Sequence, residues 1–338
     1  MSYQFVPLPP TVERRRRPEV DHDRLHPGTL SGVLTLTYRT EQPVHIGHGG
    51  YRPEGDLVIR TTVLGGASPQ VPVVPGSSFK GALRARYEAI TQSCALFHPA
   101  GQPGRTVNVL SQSRPDIRSA RLGRSLDRLP LFQACGADNQ CAACALFGSL
   151  AGGSARRGRI GFADLLPPAG TTPTLAHLPA LYSPRLHHIA TPKGVDVVRD
   201  RTGDLFEVTE LAGRKFALGG QPIAAPPWET VEAIPPGTPL TGTLSVRNLA
   251  PAELSALTTA LGFINATTAD SYFKVGAGRG HGFGRLAPIG LTFTALKDHR
   301  RLPTPPDFPA WRRALEGSKD HWPQGEATLR DLHRRRDC

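Results

Sequence analysis

The sequence has no apolar run that approaches the ~20 residues needed to cross a bilayer. The amino terminus, MSYQFVPLPPTVERRRR, also lacks the apolar segment of a secretory signal peptide. We therefore expect a cytoplasmic protein with no membrane contact. In that compartment the five cysteines are expected to be reduced, so a cluster among them indicates metal binding rather than disulfides.

Acidic residues are also scarce. The 28 Asp and Glu are outnumbered by 40 Lys and Arg, which leaves a formal net charge of +12. Such a surplus attracts polyanions and supplies contacts to phosphate. Arg dominates over Lys, and its planar guanidinium suits bidentate phosphate contacts and base stacking. A GC-rich genome explains the preference for Arg but not the net excess, so nucleic acid is favoured over general basicity.

Hydrophobic residues make up only 39% of the chain, whereas 36 Gly and 33 Pro form about a fifth of it. The usual combined share of Gly and Pro is roughly 12%. These proportions predict a folded protein in which long loops interrupt the regular structure. The alternating or helical apolar spacing nevertheless predicts elements in the order strand, helix, strand, strand, helix, strand. The predicted elements are the strand from Ser31, the helix 75–90, the strand 160–166, the strand 241–247, the helix from Pro251 and the strand 286–296.

That order predicts an α+β fold, with a sheet of the ferredoxin-like or RNA-recognition-motif (RRM) type backed by two helices. Between the core segments, residues 99–140 show no clear period, and residues 167–240 contain a predicted hairpin with strands around 194–198 and 204–211. The proline-rich residues 1–28 include four consecutive arginines, Arg14 to Arg17. They are interpreted as an extended arm that wraps a neighbour or as a solvated tail. The charged residues from Lys297 onward form a tail that the pattern does not place.

The segment PGSSFKGALR combines a turn, two serines and the start of a helix. A helix amino terminus presents free N–H groups and a partial positive charge, so it binds phosphate readily. Ser77 or Ser78 suits the N-cap position, and Lys80 and Arg84 lie one turn apart on one face. The alternative is a capped helix with solvated charges.

A second segment, GAGRGHGFGR (276–285), has five glycines among ten residues, interleaved with basic side chains. Because each glycine costs backbone entropy, we expect these residues to serve close approach of a ligand rather than packing. A flexible hairpin connection is the alternative. A third glycine-rich turn, HIGHGG, covers 45–50. The residues predicted to bind RNA are His45, Gly47, Gly49, Ser77, Ser78, Lys80, Arg84, Lys274, Gly276, Gly278, Arg279, Gly280, His281, Gly282 and Arg285.

The cysteines predict a structural zinc site. CGADNQCAAC places Cys135, Cys141 and Cys144 with five and two residues between them, and Cys94 follows the first helix. Four thiolates complete a tetrahedral site that leaves no position for catalysis. His98 is the substitute for Cys94; alternatively, Cys94 is simply buried and the other cysteines are incidental. Cys338 lies outside this set.

The chain resembles the RAMP superfamily, in particular the backbone subunits of type III, or type III-derived, CRISPR effector complexes. The resemblance covers roughly residues 31–290 and lies in VPVVPGSSFKGALR, CALFG, VVRDRTGDLFEV and GAGRGHGFGR. It implies an RRM-like core with an inserted finger and thumb. It also implies polymerisation along guide RNA with other effector subunits, and distortion of the guide–target duplex by each thumb.

The implied regions are an arm (1–28), a core (29–98 and 241–296), a zinc-stabilised finger (99–166), a thumb insertion (167–240) and a tail (297–338). Within the thumb insertion, residues 181–216 match the family's thumb, and His187 and His188 are candidate duplex contacts. His pairs in loops are more often surface residues than site residues.

The resemblance also implies a catalytic residue, because EGDLVIR places Asp56 where active members carry an Asp. Such a carboxylate holds Mg²⁺ or Mn²⁺ or helps to deprotonate the 2′-hydroxyl, which gives a 2′,3′-cyclic phosphate and a 5′-hydroxyl. The alternative for Asp56 is an ordinary turn residue. Three functions therefore remain open: a target-cleaving subunit, a non-catalytic subunit that binds guide and target RNA and hands the target to another nuclease, and a guide-processing endoribonuclease that uses His45 or His48.

Overall fold

We describe the fold from a computed structural model. The residues described are 3–17, 22–52, 57–65, 70–95, 106–107, 120–122, 130–136, 138–151, 154–179, 195–200, 203–218, 227–263, 271–297, 300–303 and 306–334. Asp56, His98, His187, His188 and Cys338 lie outside these residues.

The described part of the chain forms strands and helices in a mixed order, which confirms the predicted α+β class. The helices are α1 (Gly76–Ile90), α2 (Ala142–Phe147), α3 (Pro251–Leu261), α4 (Phe308–Glu316) and α5 (Pro323–His333). The strands are β1 (Tyr3–Val6), β2 (Leu30–Thr40), β3 (Gly47–Tyr51), β4 (Val58–Thr61), β5 (Thr106–Val107), β6 (Ala120–Leu122), β7 (Gly148–Ala151), β8 (Ser154–Arg157), β9 (Ile160–Phe162), β10 (Thr174–Pro179), β11 (Val195–Asp200), β12 (Gly203–Val208), β13 (Arg214–Ala217), β14 (Pro227–Ala233), β15 (Pro239–Leu249), β16 (Phe273–Lys274), β17 (Arg285–Lys297) and β18 (Arg300–Pro303). None of the described helices is long and apolar enough to span a membrane.

The central sheet has the strand order β16-β17-β2-β15-β9, and β18 pairs with β17. Every pairing in it is antiparallel. Without the short strands β16 and β18, the strands of this sheet and the helices α1 and α3 follow one another along the sequence in the order β2, α1, β9, β15, α3, β17. Strand β9 is shorter than the predicted 160–166, because after Phe162 only the single bridges of Leu165 and Leu166 remain.

One face of the central sheet forms the core. Leu34, Leu36 and Tyr38 alternate along β2 and are fully buried, as expected for one face of a strand. Tyr38 packs against Phe79 of α1, and its hydroxyl donates to the Leu261 carbonyl at the end of α3, 2.9 Å away. Both helices therefore cover the same face of the sheet.

Smaller sheets surround this core. One has the order β10-β14-β4-β3, and another the order β11-β12-β6-β5. The predicted hairpin in the second insertion is confirmed, with β11 antiparallel to β12 and Asp200 opposite Gly203.

The two ends of the described chain pack on the core rather than extending from it. Strand β1 pairs with β13, and Arg17 forms a buried ion pair with Asp320, at 2.7 Å. In the tail, Phe308, Trp311 and Leu315 are buried on one side of α4, and Asp307 caps this helix by accepting from the Ala310 N–H. The arm and the tail thus bind one another within the same chain.

Candidate nucleic-acid interface and metal centre

Four buried cysteines form a compact cluster. The Sγ atoms of Cys94, Cys135, Cys141 and Cys144 all lie within 4.8 Å of one another. Those of Cys141 and Cys144 are each 3.6 Å from that of Cys94. Four thiolates at ~2.3 Å from one tetrahedral ion are about 3.8 Å apart. The cluster therefore has the geometry and the donor set to hold a metal ion such as zinc.

Two arginines donate to the sulfurs of this cluster. Nη2 of Arg84 lies 3.5 Å from Sγ of Cys144, and Nε of Arg14 lies 3.4 Å from Sγ of Cys135. The backbone N–H of Cys141 also donates to Cys135 Sγ, at 3.4 Å. Such N–H groups stabilise negative charge on sulfur, and hydrogen bonds around a metal site orient its ligands. The amino-terminal arm therefore contributes directly to the cysteine cluster.

The structure separates Lys80 from Arg84, which the sequence placed in one phosphate site. The Arg84 guanidinium binds Glu88 (2.8 Å) and the Gly148 carbonyl (3.0 Å) in addition to Cys144. Lys80 instead lines an open groove and forms no ion pair with another of the described residues. Only Lys80 of this pair is placed to meet an external anion.

The amino terminus of α1 is capped differently from the prediction. Neither serine is the N-cap, because the helix already begins at Gly76 and Pro75 occupies that position. The Gly76 N–H donates to Oδ1 of Asp164, 2.8 Å away. Asp164 follows β9 in sequence, so no local pattern could reveal it as the cap. Ser77 and Ser78 lie in the first helical turn, where their side chains and N–H groups border two different clefts.

The glycine-rich loop packs closely on the HIGHGG segment. The Ala277 N–H donates to the His45 carbonyl at 3.0 Å, and the Gly284 N–H donates to the Pro43 carbonyl at 2.8 Å. Gly276 has φ +85°, and a Cβ there would collide with the His45 carbonyl oxygen. The expectation that these glycines do not serve packing was wrong: Gly276 permits contact between two backbone segments.

Two of the predicted RNA-binding side chains hold this loop in place. The Lys274 ammonium is buried and donates to the carbonyls of Leu218, Arg279 and Phe283. Burial, together with the charges of Arg285 and Arg279, lowers the pKa of Lys274 to about 7. Arg285 pairs with Glu41 at 2.5 Å and its guanidinium lies over the Tyr272 ring.

His45 is buried, and its Nδ1–H donates to the Glu232 carbonyl at 2.7 Å. Burial lowers the pKa of this imidazole. Because the ring is only 3% exposed, it has little access to the 2′-hydroxyl of a bound RNA. His48 and Gly49, in contrast, are exposed on β3.

Three separate segments meet in one small cleft, which we call the loop cleft. It is lined by Gly47, Ser78, Gly81, Gly276 and Arg279 among others, and its volume is about 460 Å³. No acidic side chain is among the described residues that line it. Glycines at its walls let a ligand approach the backbone closely, and Arg279 supplies a cation.

A second groove lies on the other side of the α1 terminus, and we call it the sheet groove. Its volume is about 900 Å³, and Ser77 and Lys80 line it. Four further arginines, Arg24, Arg157, Arg159 and Arg247, and also His22 line it, and no local sequence motif marks them. These come from three distant segments, so only the fold could reveal that they converge. Asp23 is the acidic side chain among the described lining residues.

Gly278, Gly280 and His281 line a third cavity, which shares Gly276 and Arg279 with the loop cleft. Gly278 and Gly282 have positive φ angles of +65° and +82°. Asp56, the predicted catalytic residue, belongs by sequence to the segment between β3 and β4 that lies outside the described residues.

Comparison with known proteins gives one family match. The profile of the RAMP superfamily matches residues 37–287, which include α1, the four clustered cysteines and the glycine-rich loop. A solved structure described as "Type IV-B CRISPR Complex" is similar, with 18% sequence identity, a TM-score of 0.36, and coverage of 85% of this chain and 100% of that chain. The search of curated proteins finds no match. The match over most of its length shows that this chain belongs to the RAMP superfamily.

Proposed function

We propose that the protein is a guide-RNA-binding backbone subunit of a type III-like CRISPR effector complex. The observation that carries the proposal is the loop cleft, where Gly47, Ser78 and Arg279 converge from three segments that the sequence singled out separately. The cleft and the sheet groove together place glycines, serines and cations on both sides of one helix terminus. Contacts of this kind hold a sugar–phosphate backbone without reading its bases.

The core belongs, in this proposal, to the RRM or ferredoxin-like type. The order strand, helix, strand, strand, helix, strand and the antiparallel central sheet support this assignment. The open face of the sheet differs from that of an RNA-binding RRM, which stacks bases on aromatic rings. Here Thr35 and Thr37 of β2 lie opposite Thr243 and Thr241 of β15. We infer that RNA is held by the loops and the helix terminus.

The cysteine cluster, in this proposal, binds one structural Zn²⁺. All four protein ligands are sulfurs, which suits zinc and leaves no coordination position for substrate. The ion would connect the end of α1 to the segment that carries Cys135, Cys141 and Cys144. It would thereby stabilise the second half of the finger insertion against α1, and it would have no part in RNA cleavage.

Lys80→Ala is expected to weaken binding of single-stranded RNA without base preference. Because one phosphate contact is lost, the slope of log K against log salt should fall by ~0.7. Fluorescence anisotropy with several unrelated RNA sequences, from 50 to 300 mM salt, measures both quantities. If the variant and the wild type have equal RNA affinity and an equal salt slope, Lys80 does not contact RNA.

Arg84→Ala is the matched variant one turn along the same helix, and its expected effect is different. Since Arg84 donates to Cys144 Sγ, its loss should lower zinc affinity about 10- to 100-fold. RNA affinity of the zinc-loaded protein should change less than in Lys80→Ala. Zinc release to a chromogenic chelator measures the first effect. If the variant keeps its zinc affinity but loses RNA binding, Arg84 contacts phosphate rather than supporting the metal site.

Gly276→Ala is expected to reduce RNA affinity by at least about tenfold. The new Cβ collides with the His45 carbonyl oxygen, and alanine disfavours the left-handed backbone conformation of this position. The loop must therefore move away from the HIGHGG segment. Gly170→Ala is the control, because Gly170 also has a positive φ (+82°) but has open space around its Cβ position. That control should lower stability by ~1 kcal/mol and leave RNA binding intact. Equal RNA affinities in the two variants would contradict a role for the packed loop.

A further inference from the structure

The four consecutive arginines at positions 14–17 have no part in the RNA interface proposed above. They lie in the amino-terminal segment 3–17, which we call the strap, and the strap precedes the residues that match the RAMP superfamily. Arg16 is exposed and forms no hydrogen bond or ion pair with another described residue. The other three arginines bind distant parts of the same chain, and two of these contacts lie beside the cysteine cluster.

Arg14 binds one cysteine of the cluster together with the segment that precedes it. Its Nε donates to Sγ of Cys135 at 3.4 Å. Its Nη2 donates to the carbonyls of Pro130 and Gln133, both at 2.6 Å. One guanidinium therefore fixes the position of the Cys135 sulfur and the course of the backbone that carries it.

The strap also binds the residue before a second cysteine. The Arg15 N–H donates to the Gln140 carbonyl at 3.3 Å, and the Gln140 N–H donates to the Arg15 carbonyl at 3.1 Å. Nε of Arg17 donates to the same Gln140 carbonyl, at 3.1 Å. Gln140 directly precedes Cys141 in the sequence, so these three hydrogen bonds hold the backbone of that cysteine.

On its other side the strap is bound to the core. The Glu13 N–H donates to the carbonyl of Gln92, 3.1 Å away, and Gln92 lies two residues before Cys94. The Arg17 guanidinium forms two hydrogen bonds with the Asp320 carboxylate, at 2.7 and 3.1 Å, and both side chains are buried. The strap thus joins the two chain segments that together supply the four sulfurs.

Metal binding changes the charge that the strap meets. Four thiols are neutral, whereas four thiolates around one Zn²⁺ leave two negative charges uncompensated. Arg14 and Arg84 each donate to one sulfur of the cluster and supply two positive charges. Opposite charges attract more strongly in a buried site than in water. The docked strap is therefore more favourable when the metal is bound.

We propose that the strap and the metal ion stabilise each other: Zn²⁺ fastens the strap, and the docked strap raises the zinc affinity of the cluster. Arg14 is then a positioning residue of the metal centre, and the pair of Arg17 and Asp320 anchors the strap. By thermodynamic linkage the two effects have the same size. This coupling rests on the structural zinc site proposed above and is separate from RNA binding, because the strap lines neither the loop cleft nor the sheet groove.

The first test measures zinc affinity of the full chain by competition with a chromogenic chelator. Arg14→Gln should lower this affinity about 10- to 100-fold, and the matched control Arg16→Gln should leave it unchanged. Arg17→Ala combined with Asp320→Ala removes both charges of the anchor and touches no sulfur. It should lower zinc affinity about tenfold, because it releases the strap. Adding Arg14→Gln to this double variant should then have little further effect, since residues that act through one element are not additive.

The second test measures the strap itself by limited trypsin digestion and mass spectrometry. Trypsin cleaves after arginine only where the backbone is free, so cleavage after residues 14–16 reports release of the strap. The zinc-loaded wild type and Arg16→Gln should resist this cleavage. The zinc-loaded anchor variant should be cut there about tenfold faster or more, while the rest of the chain stays intact. Removal of zinc from the wild type should expose the strap before α1 is cut.

The outcomes separate failure of the coupling from failure of the zinc site. A wild type that binds zinc, together with equal zinc affinities in Arg14→Gln and Arg16→Gln, would overturn the coupling alone. Equal cleavage of the strap with and without zinc would do the same. A wild type that binds no zinc would overturn the metal site and the coupling with it.

Discussion

Cys141→Ser is expected to give a protein that retains almost no zinc and unfolds at a markedly lower temperature. Cys141 is fully buried, and its Sγ lies 3.6 Å from that of Cys94. A serine hydroxyl is a far weaker ligand for Zn²⁺ than a thiolate, so the site keeps three ligands. In small zinc domains the ion contributes roughly 10–16 kcal/mol of apparent binding free energy. Loss of even a third of this corresponds to a decrease in Tm on the order of 10 °C.

Elemental analysis after dialysis and thermal unfolding followed by circular dichroism measure the two effects. The wild type should carry about one equivalent of zinc and should lose stability when a chelator is added. Cys338→Ser is the control, because Cys338 lies outside the predicted ligand set, and it should behave like the wild type. Retention of one zinc in Cys141→Ser, or a wild type without zinc and insensitive to chelators, would refute the metal site.

Asp56→Ala is expected to abolish cleavage of target RNA by the reconstituted guide complex, with a loss of at least about 100-fold. In the reaction that the family resemblance implies, the 2′-hydroxyl gives its proton to a base and attacks the adjacent phosphorus. The bond from phosphorus to the 5′-oxygen breaks, and this oxygen takes up a proton from water to become the 5′-hydroxyl. Asp56 would hold Mg²⁺ or Mn²⁺ at the scissile phosphate or accept the proton. Guide and target binding should survive, because base pairing and the contacts of the basic residues to other phosphates do not depend on Asp56.

Labelled complementary RNA, incubated with the complex and Mg²⁺, measures this reaction. The wild type should give evenly spaced fragments that end in a 2′,3′-cyclic phosphate. Asp331→Ala is the control, since Asp331 is exposed on α5 and lines none of the three cavities described, and it should cleave normally. Intact target with the wild type as well would favour the non-catalytic subunit, and cleavage by Asp56→Ala would assign the chemistry to another residue.

Local sequence patterns predicted a large part of the fold. The helical spacing of Phe79, Leu83 and Tyr87 identified α1 to within one residue, and the leucines of α3 are buried as expected. The cysteine spacing predicted the cluster, because ligands close in sequence constrain one another. Phe308, Trp311 and Leu315 of the tail also have helical spacing, but the prolines around and between them obscure this pattern, so the sequence does not predict α4.

What the sequence could not predict is the choice of distant partners. Arg84 was assigned to phosphate, but its Nη2 donates to Cys144, which is 60 positions away. Asp164 caps α1 from 88 positions away. A guanidinium that binds sulfur and one that binds phosphate have the same local sequence context. Only the three-dimensional arrangement distinguishes them.

The pairing of β2 constrains how the newly made chain acquires its structure. Both neighbours of β2 come from the far end of the sequence, with Thr37 opposite Thr241 on one side and Gly290 on the other. A ribosome adds about 5–20 residues per second, so synthesis of the chain from β2 to β15 takes at least about ten seconds. Both edges of β2 remain unpaired during that time. During that interval an apolar strand can pair with other nascent chains. Premature termination before β17 would therefore release an aggregation-prone polypeptide rather than a smaller folded domain.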